Sequence, residues 1–265
     1  MDHLQSIQLK APAKINFGLW VTGKRDDGYH EIRTIFLKVP SLFDTLTITR
    51  SDRTEVISSR GPSGRENIAY RAIELLSRST GQSLNVRIEI EKRIPIGAGL
   101  GGGSSDAAAV LLATVKLFAL NISHDELMEI ASSIGSDVPF FLLDSMAAIG
   151  RGRGEVLEPI EFNFRGRVKV EFPGIHISTG WAYSELARKG LYVPEGEAES
   201  NLNEIIEAVN ANDLEKLRSL LFNSFEKVVM EAHPEILSLK KRFLKEGAVA
   251  ALMSGSGSSV FGIFR

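Results

Sequence analysis

The sequence predicts an α+β protein of two lobes. The first hundred residues read mostly as strands, while strand-bracketed helical stretches fill the C-terminal part. Nowhere do strands and helices alternate regularly, as a parallel α/β sheet would require. At 265 residues the chain can form one large domain or two small lobes with a real core. Its 43% hydrophobic and 24% charged residues are ordinary globular values.

Taken in order, residues 6–10, 15–22, 31–39 and 45–50 carry β-branched and aromatic residues between turn signals such as Asp27-Gly28. A helix is expected over 67–78, then a strand over 86–94. The dense glycine stretch P-I-G-A-G-L-G-G-G-S-S-D follows at 95–106, leading into an apolar, alanine-rich helix over 107–120. A second helix is introduced by Ser123 and Glu126 at capping-box spacing and stopped near Gly135. The cluster I-G-R-G-R-G-E at 149–155 is the best boundary, dividing the chain into 1–150 and 151–265. Beyond it, strands near 168–172 and 248–253 bracket helices around 181–188, 201–210, 213–222 and 235–245. A second glycine-serine loop, S-G-S-G-S-S at 254–259, leads into V-F-G-I-F.

Composition narrows the function. A formal net charge of −2 gives no electrostatic reason to expect nucleic acid or an anionic membrane as partner. The absence of cysteine excludes disulfides, thiolate metal sites and cysteine nucleophiles. No apolar run approaches a membrane span, and the first residues lack the apolar core of a signal peptide, so a cytoplasmic protein is expected. The histidines at 3, 30, 124, 176 and 233 show no metal-ligand spacing.

Strand, glycine loop and helix N-terminus together hold phosphate, because unpaired amides point outward and the helix dipole favours an anion. Gly97, Gly99 and Gly102 satisfy G-x-G-x-x-G, the spelling of a dinucleotide site. That site needs a strand after its helix, whereas here a second helix follows. The loop ends G-S-S-D rather than G-K-[ST], so it is not a P-loop, and protein-kinase signatures are absent.

Three further segments accompany the loop: A-P-A-K-I-N-F-G-L at 11–19, D-G-Y-H-E-I-R-T at 27–34, and S-D-V-P-F-F at 136–141. Together they resemble the GHMP kinase superfamily of small-molecule kinases. The pairing of P-A-K-I-N with G-Y-H is most similar to the branch whose acceptor is a cytidine-diphosphate-linked polyol of the non-mevalonate isoprenoid route. The resemblance runs from about residue 11 to 262. It implies a two-lobed fold with an N-terminal lobe of ribosomal protein S5 domain 2-like type, ATP-binding, and a ferredoxin-like C-terminal lobe. The chain departs from the family pattern at Asp106, where asparagine is frequent. It also ends at Arg265, before a helix and returning strand usual in the family, so it is shortened or its tail lies outside the sequence given.

Strand alternation places Lys14, Asn16 and Gly18 on one face, and Ile15, Phe17 and Leu19 on the other. The residues alone favour an ordinary surface lysine; the resemblance implies that Lys14 polarises the acceptor hydroxyl and Asn16 positions it. Asp137, before Val-Pro, reads as a helix cap. By resemblance it is the general base. The resemblance also implies that Pro95, Gly97, Ala98, Gly99, Leu100, Gly101, Gly102, Gly103, Ser104 and Ser105 wrap the triphosphate of ATP. Ser104 and Ser105 are expected to cap the helix, and Ser104 to ligate Mg²⁺. Asn67 and Lys92 match positions near adenine. The resemblance further implies that Tyr29 stacks on the cytosine, that the His30 region hydrogen-bonds its edge, and that Tyr183 lies opposite, with Trp181 as its rival. In the same reading Ser254 to Gly257, with Ser254 and Gly255 foremost, are expected to hold phosphates or the substrate tail, where the residues alone allow a tight β-turn. Homoserine or mevalonate kinase, a nucleotide-binding dehydrogenase and a non-catalytic binding module are the alternatives.

Overall fold

The structure, a computed structural model, describes residues 4–265; His3 lies outside the described residues. Two compact units interleave along the chain, because the two longest strands, β1 (Ser6–Lys24) and β2 (His30–Arg50), run through both. The expected 150/151 division is a division along the sequence, whereas these units share strands.

The first unit comprises Met1–Ala13, Val39–Ile96 and Gly101–Asp144. Here β4 (Val86–Glu91) alternates strictly between buried Val86, Ile88, Ile90 and exposed Arg87, Glu89, Glu91, as a half-buried strand must. It pairs antiparallel with Thr45–Arg50 of β2 and parallel with β3 (Glu55–Ser58). The parallel pair needs a crossover, and α1 (Ile68–Thr80) provides it. After the glycine loop come α2 (Gly102–Phe118), α3 (His124–Ile134) and α4 (Val138–Leu142). The capping box opening α3 is present, with the Ser123 and Glu126 side chains each bonded to the other's backbone amide.

The second unit comprises Lys14–Lys38, Gly97–Leu100 and Ser145–Arg265. Thr34–Leu37 of β2 pairs with β5 (Ala147–Arg151), which turns back into β6 (Val156–Ile160). The glycine and arginine cluster is therefore the end of β5 and a hairpin turn; such turns share their composition with linkers. A separate antiparallel sheet runs β7 (Arg167–Glu171), β9 (Val260–Phe264), β8 (Ala250–Met253). Its helices are α5 (Thr179–Arg188), α6 (Glu195–Asn210), α7 (Leu214–Leu220), α8 (Glu226–Ala232) and α9 (Pro234–Lys245). Phe225, Val229, Ile236, Phe243, Met253 and Val260 lie in its core. Among the described residues no helix is long and apolar enough to cross a membrane.

Candidate active site

The glycine loop leaves β4 at Lys92 and enters α2 at Gly102. Gly101 is the N-cap, at φ 68°, a conformation that glycine reaches without a Cβ clash. The helix thus starts earlier than the alanine-rich pattern suggests. Ser104 and Ser105 lie inside its first turns and do not cap it, which corrects the expectation for both. With no side-chain cap at Gly101, the first amides of α2 lack the acceptor that a serine or aspartate cap would supply. This donor set fits a phosphate group. The Ser105 hydroxyl is buried without a hydrogen-bond partner. Ala98 and Leu100 are buried too, so what they offer a ligand is backbone.

Beneath the start of α2 lies a charge cluster. The Lys92 ammonium donates to Asp106 Oδ2 at 2.6 Å and to Asp44 Oδ2. Asp44 Oδ1 accepts the amides of Arg93 (2.5 Å) and Ile94 (2.8 Å). All three side chains are buried, and Asp106 Oδ1 has no partner. Burial pushes the Asp106 carboxyl up to about 7; Lys92 opposes this and Asp44 adds to it. A Cβ on Gly102 would stand 3.3 Å from Lys92 Nζ, so the ammonium lies directly against the first turn. Asn67 caps α1, its Oδ1 accepting from Ala69 N and its Nδ2 donating to Pro62 O. A Cβ on Gly103 would be 3.5 Å from Ile68, which sets the start of α1 beside that of α2.

Asp137 is the N-cap residue of α4, with Pro139 in the first turn, but its side chain makes no capping bond. The half-buried carboxylate is therefore not used as a cap.

In the second unit, Lys14 is 4% exposed, which removes the ordinary surface lysine as a reading. Its ammonium donates to Asn16 Oδ1 at 2.8 Å and stands 5.2 Å from the Phe36 ring centre. Asn16 Nδ2 donates to Thr34 Oγ1, which donates to Gly18 O. The Asn16 amide donates to Ser254 Oγ, which donates in turn to Gly99 O at 3.0 Å. The Lys14 amide donates to Leu100 O, and Ser259 N to Ala98 O. A Cβ on Gly255 would meet Asn16 Oδ1 at 3.4 Å. The P-A-K-I-N strand, residues 98–100 of the first glycine loop and the second loop therefore meet, although they are far apart in sequence. Asn223, unmarked by any motif, pins the second loop by donating to Met253 O and Gly255 O.

Gly99 stands at φ 77°, and a Cβ there would lie 2.4 Å from Ser254 O and 3.0 Å from Gly257 O. Both are backbone atoms that cannot swing away. Gly99→Ala is expected to lose about 2–4 kcal/mol of stability from backbone strain and overpacking. Urea unfolding that places it within about 0.5 kcal/mol of wild type would refute this.

His30 stacks on Tyr183 with ring centres 4.6 Å apart, and the Tyr183 and Phe225 rings meet edge to face at 4.8 Å. One face of Tyr183 is thus covered by His30. Burial, with Lys24 nearby, holds His30 below its ordinary pKa, which favours its neutral form. Its Nε2 is buried without a partner. Tyr29 is 56% exposed, and Trp181 is 37% exposed with an edge contact to His233.

Comparisons with known proteins bear on this geometry. The family model for the GHMP kinases N terminal domain matches residues 67–145, and that for GHMP kinases C terminal matches 205–265. The chain is 40% identical to the 4-diphosphocytidyl-2-C-methyl-D-erythritol kinase of Alkaliphilus metalliredigens, over 99% of this chain and 89% of that one. It is 40% identical to the enzyme of the same name from Thermotoga maritima, over 98% and 92%. A solved 4-(cytidine 5'-diphospho)-2C-methyl-D-erythritol kinase superposes with a TM-score of 0.81 at 39% identity, covering 97% of this chain and 90% of that one. Homoserine kinase from Cytophaga hutchinsonii shares the fold at TM-score 0.74 and 20% identity, over 99% and 86%. The chain belongs to the GHMP kinases, within the 4-diphosphocytidyl-2-C-methyl-D-erythritol kinase family.

Proposed function

We propose that this kinase uses ATP to phosphorylate the 2-hydroxyl of 4-diphosphocytidyl-2-C-methyl-D-erythritol, a step of the non-mevalonate route to isoprenoid precursors. The observation that carries it is the buried Lys14 ammonium, held by Asn16 and tied through Ser254 to the first glycine loop. A lysine taken out of water and fixed this way serves an anion or a polarised oxygen better than it serves solubility. Relatives about 40% identical over nearly the whole chain favour the cytidyl acceptor over homoserine or mevalonate, whose kinases share the fold at about 20%.

ATP supplies the phosphoryl group, and the reaction is direct in-line transfer without a phosphoenzyme. The uncapped amides of α2 and the glycine loop from Pro95 to Ser105 take up its phosphates. Ser104 offers a hydroxyl to Mg²⁺, a cation that takes oxygen ligands. Asn67 and Lys92 lie toward the adenine end in this reading. Lys14 polarises the acceptor hydroxyl, Asn16 positions it, and Asp137 takes its proton. Tyr29 stacks on the cytosine. A neutral His30, with its unpartnered nitrogen, offers the base edge one donor or acceptor. Tyr183 closes the opposite side, and Ser254 and Gly255 hold the substrate tail. Residues 1–150 form the ATP-binding domain and 151–265 the C-terminal domain, the two family matches falling on either side of that division. We place the enzyme in the cytoplasm, in keeping with a sequence that has no cysteine.

The test is ADP release with a panel of acceptors: the cytidyl-diphosphate methylerythritol, homoserine, mevalonate and galactose. Turnover confined to the first supports the proposal; turnover of another acceptor in its place overturns it.

A further inference from the structure

The turn between β5 and β6 is built from Gly152, Arg153, Gly154 and Glu155, and the reaction above gives it no part. It is nevertheless tightly held. The Gly152 amide donates to Glu31 Oε1 at 3.0 Å, Ile32 N donates to Gly152 O at 2.8 Å, and Gly154 N closes the turn on Arg151 O. Glu155 then grips Arg153 at two points, accepting its backbone amide on Oε2 at 2.6 Å and its Nε on Oε1 at 3.2 Å. The side chain so fixed lays its guanidinium over the Tyr29 ring, 4.7 Å from the ring centre.

Tyr29 is anchored at its backbone as well. Its amide donates to Asp27 Oδ1 at 3.0 Å, and its carbonyl accepts from Arg25 N at 2.8 Å. The ring nevertheless remains 56% exposed. An exposed tyrosine on a turn ordinarily samples several rotamers, and a base that stacks on it must bear the cost of stopping that motion. A guanidinium held over one face lowers that cost beforehand through cation–π attraction, and leaves the other face for a ligand.

We propose that Arg153 is a positioning residue for nucleobase recognition: it presets the Tyr29 ring so that the open face receives the pyrimidine of the acceptor. The inference rests on the reading of Tyr29 as the cytosine platform and adds to it a residue from a distant turn. Arg153 acts through the ring, not on the diphosphate.

The test is equilibrium binding of CDP and cytidine to the full chain, alongside steady-state kinetics. Arg153→Met keeps an apolar stem and removes the cation. It is expected to weaken CDP and cytidine by the same factor, about 2–5-fold, which is the exposed cation–π range. The KM for the cytidyl acceptor should rise in parallel, while the KM for ATP and the Tm hold. Arg153→Lys retains a cation and should stay within about twofold of wild type. In a Tyr29→Leu background, Arg153→Met should add nothing. Equal CDP affinity of wild type and Arg153→Met overturns the inference alone. So does a loss confined to CDP, or one that persists without Tyr29, since either puts the guanidinium on the ligand itself. A wild-type protein with no affinity for CDP overturns the reading of the acceptor and this inference with it.

Discussion

Asp137→Asn is expected to lower kcat by about 10²–10⁴-fold, the usual contribution of a positioned general base. Asparagine has the same shape but cannot accept the proton of the attacking hydroxyl. The substitution is informative because Asp137 occupies the N-cap position of α4 without capping it, so the amide replaces no cap bond. Loss of activity through a broken helix start is thereby separated from loss of proton acceptance. ATP binding should persist within about twofold, since the amides of α2 and the glycine loop are untouched. Kinetics and ATP titration on one preparation decide the matter. Near-normal turnover would remove Asp137 from the chemistry. A parallel collapse of ATP affinity would assign it to nucleotide binding.

Lys92→Met is expected to destabilise the protein by about 3–5 kcal/mol, the range for removing one partner of a buried ion pair. The ammonium stands between Asp44 and Asp106, and without it two buried carboxylates face each other with no cation between them. The loss should be larger at pH 8 than at pH 5, because protonation relieves the repulsion at lower pH. A uniform loss across that range would show that packing, rather than charge, is at stake.

Asp106→Asn should behave in the opposite sense. The folded-state pKa of Asp106, about 7, lies above the ordinary carboxylate value of 3.8. The unfolded chain therefore releases this proton first, and the stability the protonated group contributes is lost as pH rises from about 4 through 7. Asparagine carries no such proton and leaves Lys92 paired with Asp44. Its stability relative to wild type should improve on going from pH 5 to pH 8. Denaturation curves that shift in parallel at both pH values would contradict this.

Where the governing interactions are local, the elements were legible from sequence. The Ser123/Glu126 capping box, the Asn67 start of α1 and the β4 strand depend on neighbours a few residues away, and each formed, β4 ending at Glu91 rather than at residue 94. The strand–glycine loop–helix order was legible for the same reason, as were the alternating positions of Lys14 and Asn16. One local reading failed. Ser104 and Ser105 looked like caps until Gly101, in a left-handed conformation, started the helix before them. The cluster at 149–155, read as a boundary, folds as the end of β5 and its hairpin turn, since turns and boundaries draw on the same residues.

Tertiary structure decided the environment of each side chain. Pairing along their length carries β1 through Pro12 and β2 through Pro40, where the separate predicted strands stopped. Burial turned Lys14 from a surface lysine into a fixed ammonium and raised the Asp106 carboxyl. Asp44 and Asn223 lie outside every motif singled out in the sequence, and the partners that fix Asp44, Thr34, Asn223 and Arg153 lie 16 to 124 residues away. The residue types that meet phosphate and a hydroxyl are written locally, because backbone conformation and period are local properties. Desolvation and charge pairing depend on what packs across the fold, so the roles those residues can play emerge only when distant segments meet.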